Sequence, residues 1–200
     1  MRASQPVHVV IRALPAVGSL RQRLAHTAIR LATIVAAKRE DFRIVHISIQ
    51  DNHVHLIVEA EDRGALSRGM QGFQISAAKQ LNRVLGRRKG SVFGDRFHST
   101  ILATPRQVRN TLAYVLNNWR RHREDRQTRA RSWQLDPFSS AIVFDGWKER
   151  QTLGLSTVPD AYRALVVWFP KTWLLTTGWR RHGLISQWEV PKGKPASRRS

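Results

Sequence analysis

The chain has 200 residues, enough for one domain with an appendage, and 42% of them are hydrophobic, enough to bury a core. A formal charge of +20, from 34 Lys and Arg against 14 Asp and Glu, calls for a polyanionic partner, nucleic acid ahead of an anionic membrane surface. With no cysteine, disulfide scaffolds, cysteine-ligated zinc, thiol nucleophiles and iron–sulfur clusters are excluded; with no long apolar run, a cytoplasmic, nucleoid-associated protein without a membrane partner is expected.

Val7 to Ala13 is β-branched and apolar, ends before Pro15, and reads as a buried strand. Ser19 is placed to cap a basic amphipathic helix over Leu20 to Lys38, with Leu24, Ile29, Leu31 and Val35 among its apolar positions. Phe42 to Ile49 alternates as a half-buried strand, Gln50-Asp51-Asn52 turns the chain, and His53 to Glu59 makes the next strand. A helix from Ala65 to Leu85 opens at Asp62 or Gly64 and closes at Gly86.

Val92 to Leu102 reads as a fourth strand, and Pro105 starts a helix reaching about His122. The order predicts an α+β ferredoxin-like sandwich (split βαβ, RRM-like) with an antiparallel sheet, plus a tyrosine-bearing helix. The composition changes after Arg123, which divides the chain into a domain over 1–123 and a basic extension over 124–200. Six of the seven tryptophans lie in that extension, Pro137, Pro159, Pro170 and Pro191 break it into short pieces, and Pro191 to Ser200 reads as a disordered end.

His53-Val54-His55 is the first candidate for chemistry. Alternate residues of a strand share a face, so two imidazoles about 7 Å apart along the strand suit a divalent metal. Taken alone the pair is a weak signal, and two edge histidines are the bland alternative. Tyr114 and Asn118, four residues apart, project from one helical face; a phenoxide can attack phosphorus, and an amide carbonyl can complete a metal site. Arg87, Arg88 and Lys89 form a basic turn before the fourth strand, Arg96 lies within it, and Arg120, Arg121 and Arg123 extend the positive charge beyond Asn118. Trp179, followed by Arg180-Arg181-His182, is a candidate for stacking on unpaired bases.

Three segments together, Ile49 to Val58, Phe93 to His98 and Tyr114 to Asn118, resemble the HUH single-strand transposases, within them the REP-associated tyrosine transposase group of the IS200-like superfamily. The resemblance covers roughly residues 5 to 122. It implies metal-dependent nicking and strand transfer on single-stranded or hairpin DNA through a 5′-phosphotyrosine link. By it, His53, His55 and Asn118 would hold Mg2+ or Mn2+ and Tyr114 would be the nucleophile. Relatives of the IS200 type act as dimers, so a homodimer is an expectation. The chain departs from the family at Trp119, where proline is usual, and at Asp51, ahead of the histidine pair. The alternative reading is a binding module that holds structured DNA or RNA on the same fold without cleaving it.

Overall fold

A computed structural model describes residues 2–86, 90–94, 96–127, 133–149 and 162–190. Four strands, β1 (Val7–Arg12), β2 (Phe42–Ile49), β3 (His53–Ala60) and β4 (His98–Ile101), form one antiparallel sheet in the order β2-β3-β1-β4. The helices between them, α1 (Arg23–Ala36) and α2 (Arg63–Val84), lie on one face, and α3 (Pro105–Leu116) lies on the other. This is the ferredoxin-like arrangement expected from the order of elements.

Local chemistry sets the helix boundaries. Asp62 caps α2 by accepting the Ala65 N–H at 2.7 Å, and beyond the helix Gly86 takes a φ of +65°, which costs a glycine nothing. Thr104 and Gln107 form a reciprocal capping box at the start of α3, with Pro105 in the first turn. The first helix begins later than its sequence suggests. Ser19 Oγ accepts the Arg21 N–H and the Leu20 N–H donates to Asp51 O, so residues 19–21 are committed to the β2–β3 turn and α1 opens only at Arg23.

Its buried face is also different from the one expected. Ala25, Ala28, Ile29, Ala32 and Ala36 pack inward, while Leu24, Leu31 and Val35 are exposed. Small residues let α1 and α2 approach closely over the sheet, and Gly69 of α2 lies directly against the Phe42 ring. The fourth strand is shorter than expected. Val92 O accepts the Leu14 N–H and Phe93 bridges Ala13, extending the ladder beyond the end of β1, but regular pairing with β1 covers only His98–Ile101. The helix after it breaks at Asn117, whose φ of −106° and ψ of 13° are not helical, and resumes as α4 (Asn118–Arg121).

Two apolar clusters share the sheet. The first joins Val7, Val9, Ile11, Leu56 and Val58 to α1 and α2. The second joins Val108, Leu112, Val115 and Leu116 of α3 to Phe144, Trp147, Leu175 and Trp179. A bulge between Ile44 and His46 accompanies Val45 into that second cluster.

The residues beyond 123 therefore complete the core that α3 rests on. They also cover the outer edge of β2, where Phe138 O accepts the Ile49 N–H and the Trp168 N–H donates to Ile44 O, both at 2.8 Å. At the far end of β3 the buried Glu59 carboxylate accepts the N–H groups of Lys171 and Thr172, just before α5 (Trp173–Thr176). The expected disordered end at 191–200 lies outside the described residues. Among the described residues no helix is long and apolar enough to cross a membrane.

Candidate active site

Strand register builds the site. His55 on β3 and His98 on β4 both stand opposite Val10 of β1, His53 stands opposite Arg12, and Ile57 and Thr100 stand opposite His8. Opposed residues of an antiparallel ladder share a face, so His8, Arg12, His53, His55 and His98 all project from the side of the sheet that carries α3.

The two candidate ligands converge. His53 Nε2 and His55 Nε2 are 2.9 Å apart, with the ring planes nearly perpendicular. Each ring is held on its other nitrogen: His53 Nδ1 lies 2.8 Å from Asn52 Oδ1, and His55 Nδ1 lies 3.1 Å from His8 Nε2. Burial is the main force lowering both pKa values, to about 4 for His53 and about 2 for His55, helped by His122 and Arg12 around His53 and by His8 and His53 around His55. Both imidazoles are therefore neutral near pH 7, the form in which histidine binds a metal.

Tyr114 comes from the last turn of α3. Its ring meets His55 edge-on at 5.2 Å between centroids and His8 at 6.1 Å, and the Arg121 guanidinium lies 5.6 Å from its centre. The tyrosine and the histidine pair belong to the same chain, so no exchange of helices is needed to bring them together. Four residues further on, beyond the break at Asn117, Asn118 is fully buried, and neither its Nδ2 nor its Oδ1 has a hydrogen-bond partner. A buried amide left unpaired costs about 1–3 kcal/mol per group, a cost that coordination would relieve. Among the described residues no cluster of three or more His, Cys, Asp and Glu side chains is arranged to hold a metal ion. The two converging imidazole nitrogens and the amide oxygen of Asn118 are each of the donor type that a divalent cation takes.

The basic residues divide. Arg96, Arg121 and Arg123 are exposed, and Arg123 takes a left-handed conformation (φ 58°) just after α4. Arg120 is a correction to the expected DNA-contacting surface. It is buried, donating to Gln187 O at 2.7 Å, Gln134 O at 2.9 Å and Asp125 Oδ2 at 3.2 Å, with its guanidinium against the Trp119 and Trp188 rings. That arginine ties the end of the tyrosine helix to the extension. Trp119, where proline was expected, fills the core beneath it. Trp179 is likewise buried, its indole N–H donating to Leu175 O, and is not free to stack on bases. Arg87, Arg88 and Lys89 lie outside the described residues.

Sequence reasoning missed His8, Arg12 and His122. His122 follows α4 directly and its ring stands 6.1 Å from that of His53. The alternation of His8, Val10 and Arg12 along β1 was the available signal, but only the pairing register shows that it falls beside His55.

The family model for IS200-like transposases matches residues 4–118. No curated protein matches. Among solved structures, a REP-associated tyrosine transposase bound to a REP hairpin aligns with a TM-score of 0.54 at 15% identity, covering 84% of this chain and 94% of that one. Its likeness of fold extends beyond the family match and into the extension. A protein from Deinococcus radiodurans (TM-score 0.43, 11% identity, 60% of this chain and 88% of that one) and a bacterial tRNA(His) guanylyltransferase-like protein in complex with GTP (TM-score 0.43, 12% identity, 64% and 70%) are also similar.

Proposed function

Because the chain belongs to the family of IS200-like transposases, we propose that it nicks and transfers single-stranded or hairpin DNA through a covalent tyrosine intermediate formed by Tyr114. The observation that carries this reading is the packing of the Tyr114 ring, within one chain, against a histidine pair whose Nε2 atoms converge to 2.9 Å. A purely binding module has no need of that juxtaposition. The solved relative held with a REP hairpin supports hairpin DNA as the substrate class.

In the proposed reaction the Tyr114 oxygen bonds to the scissile phosphorus and the bond from phosphorus to the 3′ oxygen breaks. The phenolic proton is lost, the 3′ oxygen takes one up as a free hydroxyl, and the 5′-phosphotyrosine conserves the bond for rejoining. His53, His55 and the Asn118 amide oxygen would hold Mg2+ or Mn2+, which when bound supplies a Lewis acid to the phosphate oxygens. The chain's own residues do the rest. Arg121, beside the tyrosine ring, sets positive charge where the phosphate must arrive, and Arg96 and Arg123 offer further contacts to the DNA backbone. His8 packs on the side of His55 that faces away from His53 and helps fix the ring in place.

The test is a covalent-adduct assay with labelled single-stranded hairpin DNAs and Mg2+ or Mn2+, resolved under denaturing conditions. The expected result is a metal-dependent protein–DNA band that is lost in Tyr114→Phe and in the His53→Ala/His55→Ala double variant. Tight hairpin binding without an adduct, across a broad substrate set, would replace this reading with the non-catalytic one.

A further inference from the structure

Apolar side chains that the candidate site does not use gather at the outer edge of β2. Val143, Trp168 and Phe169 are exposed, Phe169 at 88%, and all three line one cavity of about 590 Å3 between β2 and the segment 164–170 that covers its edge. Cavities of about 300–1,000 Å3 hold small molecules, and apolar side chains left in water around one mark a surface built for a partner. The buried His46 also lines this cavity. It stands opposite Ile57, two residues along β3 from His55, so it projects from the face of the sheet that carries the candidate site.

The polar groups around the cavity are specific. Ser140 Oγ accepts the Ile47 N–H at 3.1 Å, and His46 Nδ1 lies 3.2 Å from the same oxygen. The hydroxyl hydrogen is therefore directed at His46 Nδ1, and the His46 proton sits on Nε2. That N–H has no protein acceptor among the described residues, although the side chain is more than nine-tenths buried. It is a donor held ready for whatever enters the cavity. Burial lowers the His46 pKa to about 4, so the ring is neutral near pH 7. Two arginines also line the cavity: Arg30 is held through Nε by Ala164 O, with its terminal nitrogens left over, and Arg180 is paired with Asp145.

A buried donor, aromatic walls and a guanidinium fit a flat heterocycle with an acceptor on its edge and a phosphate beside it. We propose that this cavity takes an unpaired base from the single strand flanking a DNA hairpin, stacked on Phe169 and Trp168, with its edge accepting the His46 Nε2–H and its phosphate beside Arg30. The proposal rests on the reading of hairpin DNA as the partner. A charge of +20 favours a polyanion over a neutral metabolite or a second copy of this chain. Trp168 is fixed in advance, because its backbone N–H donates to Ile44 O and its indole N–H to Ala37 O at 3.2 Å. Its ring is ordered before a base arrives, so stacking costs little entropy. Trp168 and Phe169 thus supply the stacking surface that the buried Trp179 does not.

The experiment is photo-crosslinking of the full chain to a hairpin whose single-stranded flank carries 4-thiothymidine, with a chelator present so that no strand is cut. Cross-links, located by mass spectrometry, are expected at residues 143–145 and 168–169. The His46 Nε2–H proton resonance should move as the flanked hairpin binds. Phe169→Ala should weaken binding of the flanked hairpin about tenfold while leaving the melting temperature and the affinity for a blunt hairpin unchanged. Phe169→Trp, which keeps a ring, should restore it. A flank that cross-links only elsewhere, or that binds Phe169→Ala as tightly as the wild type, overturns the proposal. Thymidine monophosphate that moves the His46 proton when the flanked hairpin does not would replace the strand with a free nucleotide. With the chelator present, the cross-link judges this cavity whatever the covalent-adduct assay decides about Tyr114, whereas a chain that binds no hairpin overturns both.

Discussion

Arg21 and Asp136, 115 residues apart in sequence, form a bidentate ion pair with hydrogen bonds of 3.0 and 2.9 Å, both side chains almost wholly buried. Arg21 also donates to Ile49 O and lies over the Phe138 ring, while Asp136 accepts the Phe138 N–H. One arginine therefore fastens the start of α1, the end of β2 and the extension together. Removing one partner of such a pair leaves the other charged and buried. Asp136→Ala should cost about 3–5 kcal/mol in urea denaturation, and Asp136→Asn less, because it keeps a hydrogen-bonding oxygen.

Two glycines on α2 should answer the same substitution in opposite ways. A Cβ at Gly69 would lie 2.2 Å from the Phe42 ring, whereas one at Gly72 would meet nothing within 4 Å. Gly69→Ala should destabilise the fold by about 1–3 kcal/mol through overpacking against a central ring. Gly72→Ala should stabilise it by up to about 1 kcal/mol through helix propensity alone. Melting temperatures of the two variants, measured side by side, check the sign of each.

How much of this was legible beforehand depended on the range of the interaction. Alternation along β3 was enough to place His53 and His55 on one face, whereas the i to i+4 spacing of Tyr114 and Asn118 spans the break at Asn117. The first is a local property of a strand. The approach of His8 to His55 depends on register between strands 47 residues apart, which no local pattern encodes. Arg120 was assigned to the surface because arginine usually lies there, yet the carbonyl that holds it belongs to Gln187, 67 residues later. In α1 the leucines attracted the core assignment, but close packing on α2 favoured alanine, and the larger side chains were left outside. The unusual position 119 was visible as a departure, while the burial of the tryptophan there was not.

Stability should fall on mild acidification. His26 and His46 are buried neutral, each with its pKa lowered by burial from the ordinary value near 6.5 to about 4. Between those values the unfolded chain binds the extra protons, so the full stability is present above pH 6.5 and is lost as the pH drops toward 4. The slope is at most about 1.4 kcal/mol per pH unit for each histidine. His53 and His55 act in the same sense. Since His26 already sits edge-on to the Phe138 and Tyr162 rings, His26→Phe should fold and flatten this dependence, as read from urea midpoints at pH 7.5, 6 and 5.

Neighbouring arginines at the end of the tyrosine helix should separate binding from folding. Arg121→Ala should leave the melting temperature unchanged, weaken hairpin binding and make its dependence on salt shallower by about one counterion. Arg120→Ala should instead lower stability by about 3 kcal/mol or more, because it removes charged hydrogen bonds from the interior. Salt titration of hairpin affinity, paired with thermal melts of both variants, checks the division.

The end of the tyrosine helix has a temporal consequence. Asn117 donates to Ser186 O and Arg120 to Gln187 O, so the carbonyls that hold it lie 69 and 67 residues downstream. During synthesis, His53, His55 and Tyr114 all leave the ribosome before those carbonyls exist. The histidine pair can form with its sheet, but the helix carrying the tyrosine and Asn118 gains its support only once the extension has emerged. The tyrosine arm of the candidate site is thereby completed only after the extension has been made.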